Sequence, residues 1–163
     1  MTVKQLSVFV ENRAGRLSAV TRLLGDNNLS IKAMSIADTK DFGILRLIVN
    51  DSEKALEVLK SNGCSVTITN VLAIKIQNKP GGLADAMDVL YKGNISVEYM
   101  YAAFIKEEEG TAFLILRVDD NELAVKTLTE NGYSLVGQEE LLNIWLFHLW
   151  KFYDIIKKRL HFF

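Results

Sequence analysis

Two stretches of the chain show the same succession of apolar patterns. In each, an alternation of apolar and polar residues is followed by apolar residues spaced three and four apart. The alternation predicts a half-buried strand, and the wider spacing predicts an amphipathic helix of about three turns. At an offset of 66 residues the apolar positions Leu6, Val8, Val10, Leu17, Val20, Leu23 and Leu24 match Leu72, Ile74, Ile76, Leu83, Ala86, Val89 and Leu90. The repeat predicts two copies of one small fold.

Each copy continues with a hairpin, a second helix and a short last strand. Asp51 and Asp120 precede the second helices and are natural N-caps. Asn62-Gly63 and Asn131-Gly132 follow them, where glycine can take the left-handed conformation that ends a helix. Each half therefore has the order β-α-β-β-α-β. An antiparallel sheet with both helices on one face is the compact arrangement for that order, so we predict an α+β fold of two such units.

The join between the halves and the helix-free sheet faces predict close coupling. Residues 66–76 contain neither proline nor glycine, so the last strand of the first half should run almost directly into the first strand of the second. Ile44 and Ile48 share a helix-free face with Arg46. We expect such faces to be buried by the other half, by a partner chain or by the C-terminal segment. The alternative is an exposed face whose arginines pair with nearby carboxylates.

The turn between the first strand and the first helix of each half is the main candidate for chemistry. It reads Glu11-Asn12-Arg13-Ala14-Gly15-Arg16-Leu17 in the first copy and Gln77-Asn78-Lys79-Pro80-Gly81-Gly82-Leu83 in the second. Backbone N–H groups at a helix entrance lack intrahelical acceptors and suit a small anion or carboxylate. The turns therefore predict two ligand sites.

Composition excludes several classes of function. The 163 residues carry a net charge of -1, whereas a general binder of nucleic-acid backbones needs a basic surface. Cys64 is the single cysteine, which rules out an internal disulfide and favours a buried free thiol. The start of the chain lacks the pattern of a signal peptide. We expect a cytoplasmic protein.

Catalytic and metal-binding patterns are absent from the repeats. The only histidines, His148 and His161, lie outside both copies, and no Cys/His cluster has metal-ligand spacing. An acylphosphatase-like hydrolase would need an arginine in the first turn and an asparagine partner, which Arg13 and Asn28 allow only weakly. RNA recognition on this topology needs exposed aromatics on the central strands, where the chain has mostly Leu, Ile and Ala. We predict no enzyme, metal or cofactor.

The motif Asn-x-x-Gly-x-Leu after a strand, followed about sixteen residues later by Asn-hydrophobic-Ser-hydrophobic, resembles the ACT domain. The second copy, with Pro80, is close to the usual form, and the first departs from it at Ala14. The resemblance covers residues 3–141 and implies ferredoxin-like units that bind small ligands, most often amino acids, and regulate amino-acid metabolism. It implies a stand-alone tandem protein acting in trans on metabolism or transport. A ligand-free oligomerisation module remains the alternative.

In ACT proteins the ligand commonly lies where two units meet, between the first turn of one and the second strand of another. Turn amides could hold a carboxylate, asparagine side chains could bridge the charged ends of an amino acid, and strand carbonyls could accept from its ammonium. Asparagines at turns also occur for purely local reasons, and Leu17 and Leu83 fit a core role better than a pocket role. The candidate residues are Asn12, Arg13, Ala14, Gly15, Arg16, Leu17, Asn28, Ser30, Ile31, Asn78, Lys79, Pro80, Gly81, Gly82, Leu83, Asn94, Ser96 and Val97.

We divide the chain into ACT units at 1–70 and 71–141 and a C-terminal segment at 142–163, and expect a homodimer. Apolar residues spaced by threes and fours predict an amphipathic helix in that segment. Its charges, which include Lys151 and Asp154, argue against a membrane span. The helix could dock on protein, bridge two chains, lie on a membrane surface or be an unnatural extension; we favour docking on protein.

Overall fold

The computed structural model, which describes residues 1–38, 42–103 and 110–143, contains two successive βαββαβ units. The predicted order of elements is confirmed. Residues 138–143 are also helical, and the rest of the predicted C-terminal helix lies outside the described residues. The elements are β1 Val3–Glu11, α1 Arg16–Asp26, β2 Ile31–Asp38, β3 Phe42–Val49, α2 Ser52–Ser61, β4 Ser65–Gln77, α3 Gly82–Lys92, β5 Val97–Ala102, β6 Thr111–Val118, α4 Asn121–Glu130 and β7 Ser134–Leu135.

The predicted ends of the second helices are confirmed. The Asp51 carboxylate accepts from the Lys54 amide at 3.0 Å, and the Asp120 carboxylate accepts from the Leu123 amide at 2.9 Å. Gly63 and Gly132, which follow α2 and α4, have φ angles of 76° and 83°. Only glycine takes this left-handed conformation without strain, so these two residues fix where the helices stop.

Strand β4 joins the two units because it belongs to both sheets. Its residues 65–71 pair with β1 and its residues 72–77 pair with β6, all antiparallel. The first sheet therefore has the order β4-β1-β3-β2, and the second has the order β7-β4-β6-β5. The predicted direct join between the halves is confirmed. The boundary that we place between residues 70 and 71 falls inside this strand.

Each unit has its own core beneath its two helices. The apolar strand and helix residues of the repeat form these cores, with Leu6, Val8, Val10, Val20 and Leu24 in the first and Leu72, Ile74, Ala86 and Leu90 in the second. Leu17 and Leu83 are exceptions, with 38% and 39% of their surfaces exposed. The core role favoured for these two residues is wrong, because both lie in the first turn of a helix, beside an entrance turn whose residues are exposed.

A third apolar cluster lies between the units and covers part of their helix-free faces. It includes Ile48 from the first sheet and Ile115 from the second, and Leu141 from the last described helix packs on it. The fully buried Gln5 amide donates to the Tyr99 hydroxyl at 2.8 Å, and the Tyr101 hydroxyl donates to Gln5 Oε1 at 2.9 Å. Burial raises the pKa of Tyr101, so its hydroxyl remains a donor. The predicted burial is confirmed for Ile48 and Ile115, which the other half covers, whereas Ile44 is only half-buried and Arg117 pairs with the Glu98 carboxylate, as the alternative expected.

The edges of the two sheets also meet. A backbone bridge joins Ala33 of β2 to Ala103, the residue after β5.

Among the described residues, no helix is long and apolar enough to span a membrane.

Candidate functional site

The two helix-entrance turns have nearly the same backbone geometry. Gly15 and Gly81 occupy the N-cap positions of α1 and α3 with φ angles of 85° and 86°. Other residues reach this left-handed conformation only with strain, so each turn depends on its glycine. Neither helix entrance has a side-chain cap. The first-turn amides of these helices are thus left to water or to a ligand.

Some of the amides expected to hold a carboxylate are already used within the turn. The Arg16 amide donates to the Arg13 carbonyl at 3.2 Å, and the Gly82 amide donates to the Lys79 carbonyl at 3.0 Å. Within residues 1–38 and 42–103, the Gly81 amide has no backbone acceptor. Because the Gly82 amide is occupied, a carboxylate at this turn would depend on side-chain charge and on the amides of Gly81, Leu83 and Ala84, which have no backbone acceptor within the described residues.

The asparagine segments that precede the second strands lie far from the turn of their own unit. Ile31 pairs with Val49, whereas Glu11 pairs with Phe42 at the other end of β3. At about 3.3 Å per strand residue, roughly 20 Å separate the two ends. The second unit has the same arrangement. The structure therefore does not bring the segments 28–31 and 94–97 to the turn of their own unit.

Local hydrogen bonds already account for much of these segments. Asn28 and Asn94 have φ angles of 58° and 54°, a conformation that asparagine tolerates better than most residues. The Ser30 carbonyl accepts from the Asn50 amide at 3.1 Å, and the Ser96 carbonyl accepts from the Asp119 amide at 3.1 Å. Both carbonyls thus already accept a backbone hydrogen bond in the absence of a ligand.

A cleft opens beside each helix entrance at equivalent positions of the two units. The first has a volume of about 270 Å³ and the second about 310 Å³. Each lies between the start of the first helix and the glycine turn that ends the second helix. Sequence reasoning identified Asn62-Gly63 and Asn131-Gly132 only as helix ends. Their recurrence in both halves is the one sequence signal that marks these turns. Their position beside the entrance turn depends on how the two helices pack, which the sequence pattern does not specify.

The second cleft has charges of both signs. Lys79 and Asp85 line it, and neither has an ion-pair partner within the described residues. Lys75 also lines it and lies 3.2 Å from Glu140. Loss of contact with water raises the pKa of Tyr133, and the Asp85 carboxylate raises it further. The cleft thus contains an ammonium group, a carboxyl group and a phenol hydroxyl.

The first cleft is more apolar and has a single type of charge. Arg16 lines it, and its Nε lies 3.8 Å from the Glu11 carboxylate, which is not part of the lining. Val20 and Leu23 contribute apolar surface. Cys64 also lines this cleft and is half-buried, so the favoured interpretation as a buried thiol is wrong. The helix-ending turn that carries Cys64 leaves its side chain at the rim of the core.

Metal chemistry gains no support from the described part of the chain, where no group of three His, Cys, Asp or Glu residues could hold an ion. The remaining candidate residues of the two turns are exposed, and they are Asn12, Arg13, Ala14, Asn78 and Pro80. The Asn78 amide donates to the Gly110 carbonyl at 2.7 Å, which anchors the second turn to the start of β6. The second turn is therefore held on two sides.

Comparison with known proteins shows which family and which solved structures this chain resembles. Residues 1–145 match the family model described as an ACT domain pair. A search of the curated proteins found no match. A protein of known structure from Bacteroides thetaiotaomicron is 37% identical and aligns with a TM-score of 0.81 over 87% of this chain and 96% of its own.

Two more distant structures share the fold. The regulatory subunits of aspartate kinase from Thermus thermophilus and Thermus flavus align with TM-scores of 0.58 and 0.55, at identities of 13% and 14%. The alignments cover 79% and 78% of this chain and 91% and 90% of those subunits. From the family match over residues 1–145, the chain belongs to the ACT domain pair family, whose domains are regulatory rather than catalytic.

Proposed function

We propose that the protein is an amino-acid sensor that binds its ligand beside the second helix-entrance turn and controls amino-acid metabolism or transport in trans. The observation that carries this proposal is that Lys79 and Asp85 line the same cleft. Neither side chain has an ion-pair partner within the described residues. A free amino acid carries one carboxylate and one ammonium, so its charges match those of the cleft. We place the protein in the cytoplasm as a homodimer.

The charges of the second cleft set the orientation of such a ligand. Asp85 lies in the first turn of α3, where a carboxylate interacts favourably with the helix dipole. It would repel the carboxylate of a ligand and attract its ammonium. The carboxylate would then lie towards Lys79 and the Gly81 amide. Gly82 has no side chain, which leaves the space between these groups open.

The other candidate segments enter the proposal through another unit. Asn28, Ser30 and Ile31 lie at the far end of their own sheet, as do Asn94, Ser96 and Val97. They would complete a ligand site only if another unit presented them to a turn. That unit could be the other half of the same chain, whose edge meets β2 at the bridge between Ala33 and Ala103, or a unit of the second chain in the homodimer that we propose.

Two relatives in fold support the regulatory role, since they are named as regulatory subunits of aspartate kinase. By analogy, we propose that this protein regulates a separate metabolic enzyme or transporter to which it is not covalently fused.

A thermal-shift screen of the twenty amino acids tests the proposal. A ligand at 100 times its dissociation constant adds about 2.7 kcal/mol to the free energy of unfolding. At least one amino acid should raise the melting temperature of the wild type. Asp85→Asn should abolish most of that shift, whereas Asp88→Asn, on the same helix outside the cleft, should retain it. If no amino acid stabilises the chain, a ligand-free oligomerisation module becomes the better account.

A further inference from the structure

A third cleft, of about 280 Å³, lies between the helix-free faces of the two units. The first unit contributes Arg46 and Phe9, strand β4 contributes Thr67 and Thr69, and the second unit contributes residues of β5 and β6. Phe9 is the one lining residue that it shares with either helix-entrance cleft. The cleft is therefore a separate space, and its walls come from both units.

Arg46 differs from the other residues that line this cleft because its buried Nε has no acceptor within the described residues. It stacks over the Tyr99 ring, with 3.9 Å between the guanidinium carbon and the ring centroid. Within the described residues it makes no hydrogen bond and no ion pair, and its Nε is buried without an acceptor. Buried polar groups nearly always have a partner, so this N–H favours an acceptor that enters the cleft.

The other charges of the cleft are partly neutralised. Arg117 lies 3.4 Å from the Glu98 carboxylate and donates to the Asn70 carbonyl at 3.1 Å. With Arg46 added, the cleft has two guanidinium groups and one carboxylate, which leaves one positive charge in excess. The rest of the lining consists of uncharged residues, namely Ser7, Phe9, Ile44, Thr67, Thr69 and Tyr99.

We propose that this cleft is a second ligand site, which takes a small carboxylate between the two units. A guanidinium binds a carboxylate through two parallel N–H···O bonds, and stacking on Tyr99 already fixes the plane of this one. The Thr67 and Thr69 hydroxyls can hydrogen-bond to a polar group next to the carboxylate. The apolar end of the ligand contacts Phe9. The site does not depend on the second helix-entrance cleft, and a ligand here contacts both units at once.

Nuclear magnetic resonance of the ¹⁵N-labelled full chain tests this site. The probes are amino acids and the matching 2-oxo acids, each titrated to millimolar concentration. A ligand of this cleft should shift the amides of Thr67, Thr69 and Tyr99. Arg46→Gln should weaken that binding at least tenfold, whereas Arg22→Gln, an exposed arginine of α1, should leave it unchanged. The Asp85→Asn background separates these shifts from any that arise at the second helix-entrance cleft.

A second variant keeps the test decisive if Arg46→Gln proves unstable. Glu98→Gln removes the only carboxylate of the cleft, so a 2-oxo acid should bind several-fold more tightly. An amino acid whose ammonium meets Glu98 should bind more weakly, which distinguishes the two sources of the carboxylate. Glu122→Gln, exposed on α4, is the matched control. The proposal is overturned if no carboxylate shifts these amides, or if both cleft variants bind their ligand as the wild type does.

Discussion

The two helix-entrance clefts share a backbone and differ in chemistry. Gly15 and Gly81 adopt the same left-handed conformation, and each cleft is closed by an Asn-Gly turn at the end of the unit's second helix. The first cleft is lined by Arg16 and apolar side chains. The second is lined by charges of both signs, including Lys79 and Asp85. The two units thus share a scaffold, whereas the side chains that line their clefts differ in charge and polarity.

One position shows how the difference arises. Gly82 of the second unit corresponds to Arg16 of the first. A Cβ atom at Gly82 would lie 2.2 Å from the Gln77 carbonyl oxygen. The second turn thus folds back on its strand more tightly than a side chain allows, so no side chain corresponding to that of Arg16 lines the second cleft.

The largest expected effect comes from adding a side chain at Gly82. Gly82→Val should lower the free energy of unfolding by about 3 kcal/mol, because the overpacked turn must shift away from the strand. Arg16→Ala, at the matching exposed position, should change it by less than about 0.5 kcal/mol. Chemical denaturation followed by circular dichroism measures both. Equal effects at the two positions would contradict the difference between the turns.

Charge in the clefts should affect binding next. Lys79→Met should weaken amino-acid binding by about tenfold or more, since a hydrogen bond to a charged group contributes about 1.5–3 kcal/mol. Arg16→Met removes the cation of the first cleft and should leave that binding unchanged. Isothermal titration calorimetry with the stabilising amino acid gives both values. A larger loss in Arg16→Met would move the site to the first turn.

The shared scaffold predicts equal effects where the two units are alike. Asp51→Ala and Asp120→Ala each remove an N-cap hydrogen bond and should each lower the free energy of unfolding by about 1 kcal/mol. Thermal unfolding compares the two variants directly. Costs that differ several-fold would show that the units are less equivalent in energy than in backbone geometry.

The smallest expected effect is at the thiol of the first cleft. Cys64 is half-buried and lines only that cleft, so an amino acid bound in the second should leave its rate of alkylation unchanged. Mass spectrometry of alkylated protein with and without ligand measures the rate. Clear protection of Cys64 by the ligand would place binding in the first cleft instead.

The fold was readable from the sequence because its signals are local and occur twice. The strand alternation, the caps at Asp51 and Asp120 and the left-handed glycines depend on neighbouring residues alone. Leu17 and Leu83 were misassigned because helical spacing identifies a face, whereas burial also depends on where the sheet beneath it ends. Periodicity does not contain that information.

The sites were less predictable for the same reason. Asp85 is an ordinary first-turn acid in the sequence, and Tyr133 an ordinary strand residue. They line one cleft with Lys79 because α4 packs against α3, which brings Tyr133, the residue between α4 and β7, close to the start of α3. The contact of Gln5 with Tyr99 and Tyr101 depends on how β4 passes from one sheet to the other, which no pattern within a single repeat specifies.

The most direct test of the central claim pairs a ligand change with a protein change. Calorimetry would compare the stabilising amino acid and its 2-oxo analogue, which lacks the ammonium, on wild-type protein and on Asp85→Asn. If Asp85 holds the ammonium, Asp85→Asn weakens the amino acid by about tenfold or more and leaves the 2-oxo acid unaffected or bound more tightly. Equal affinity of the amino acid for both proteins would contradict the assignment of the second cleft as the amino-acid site.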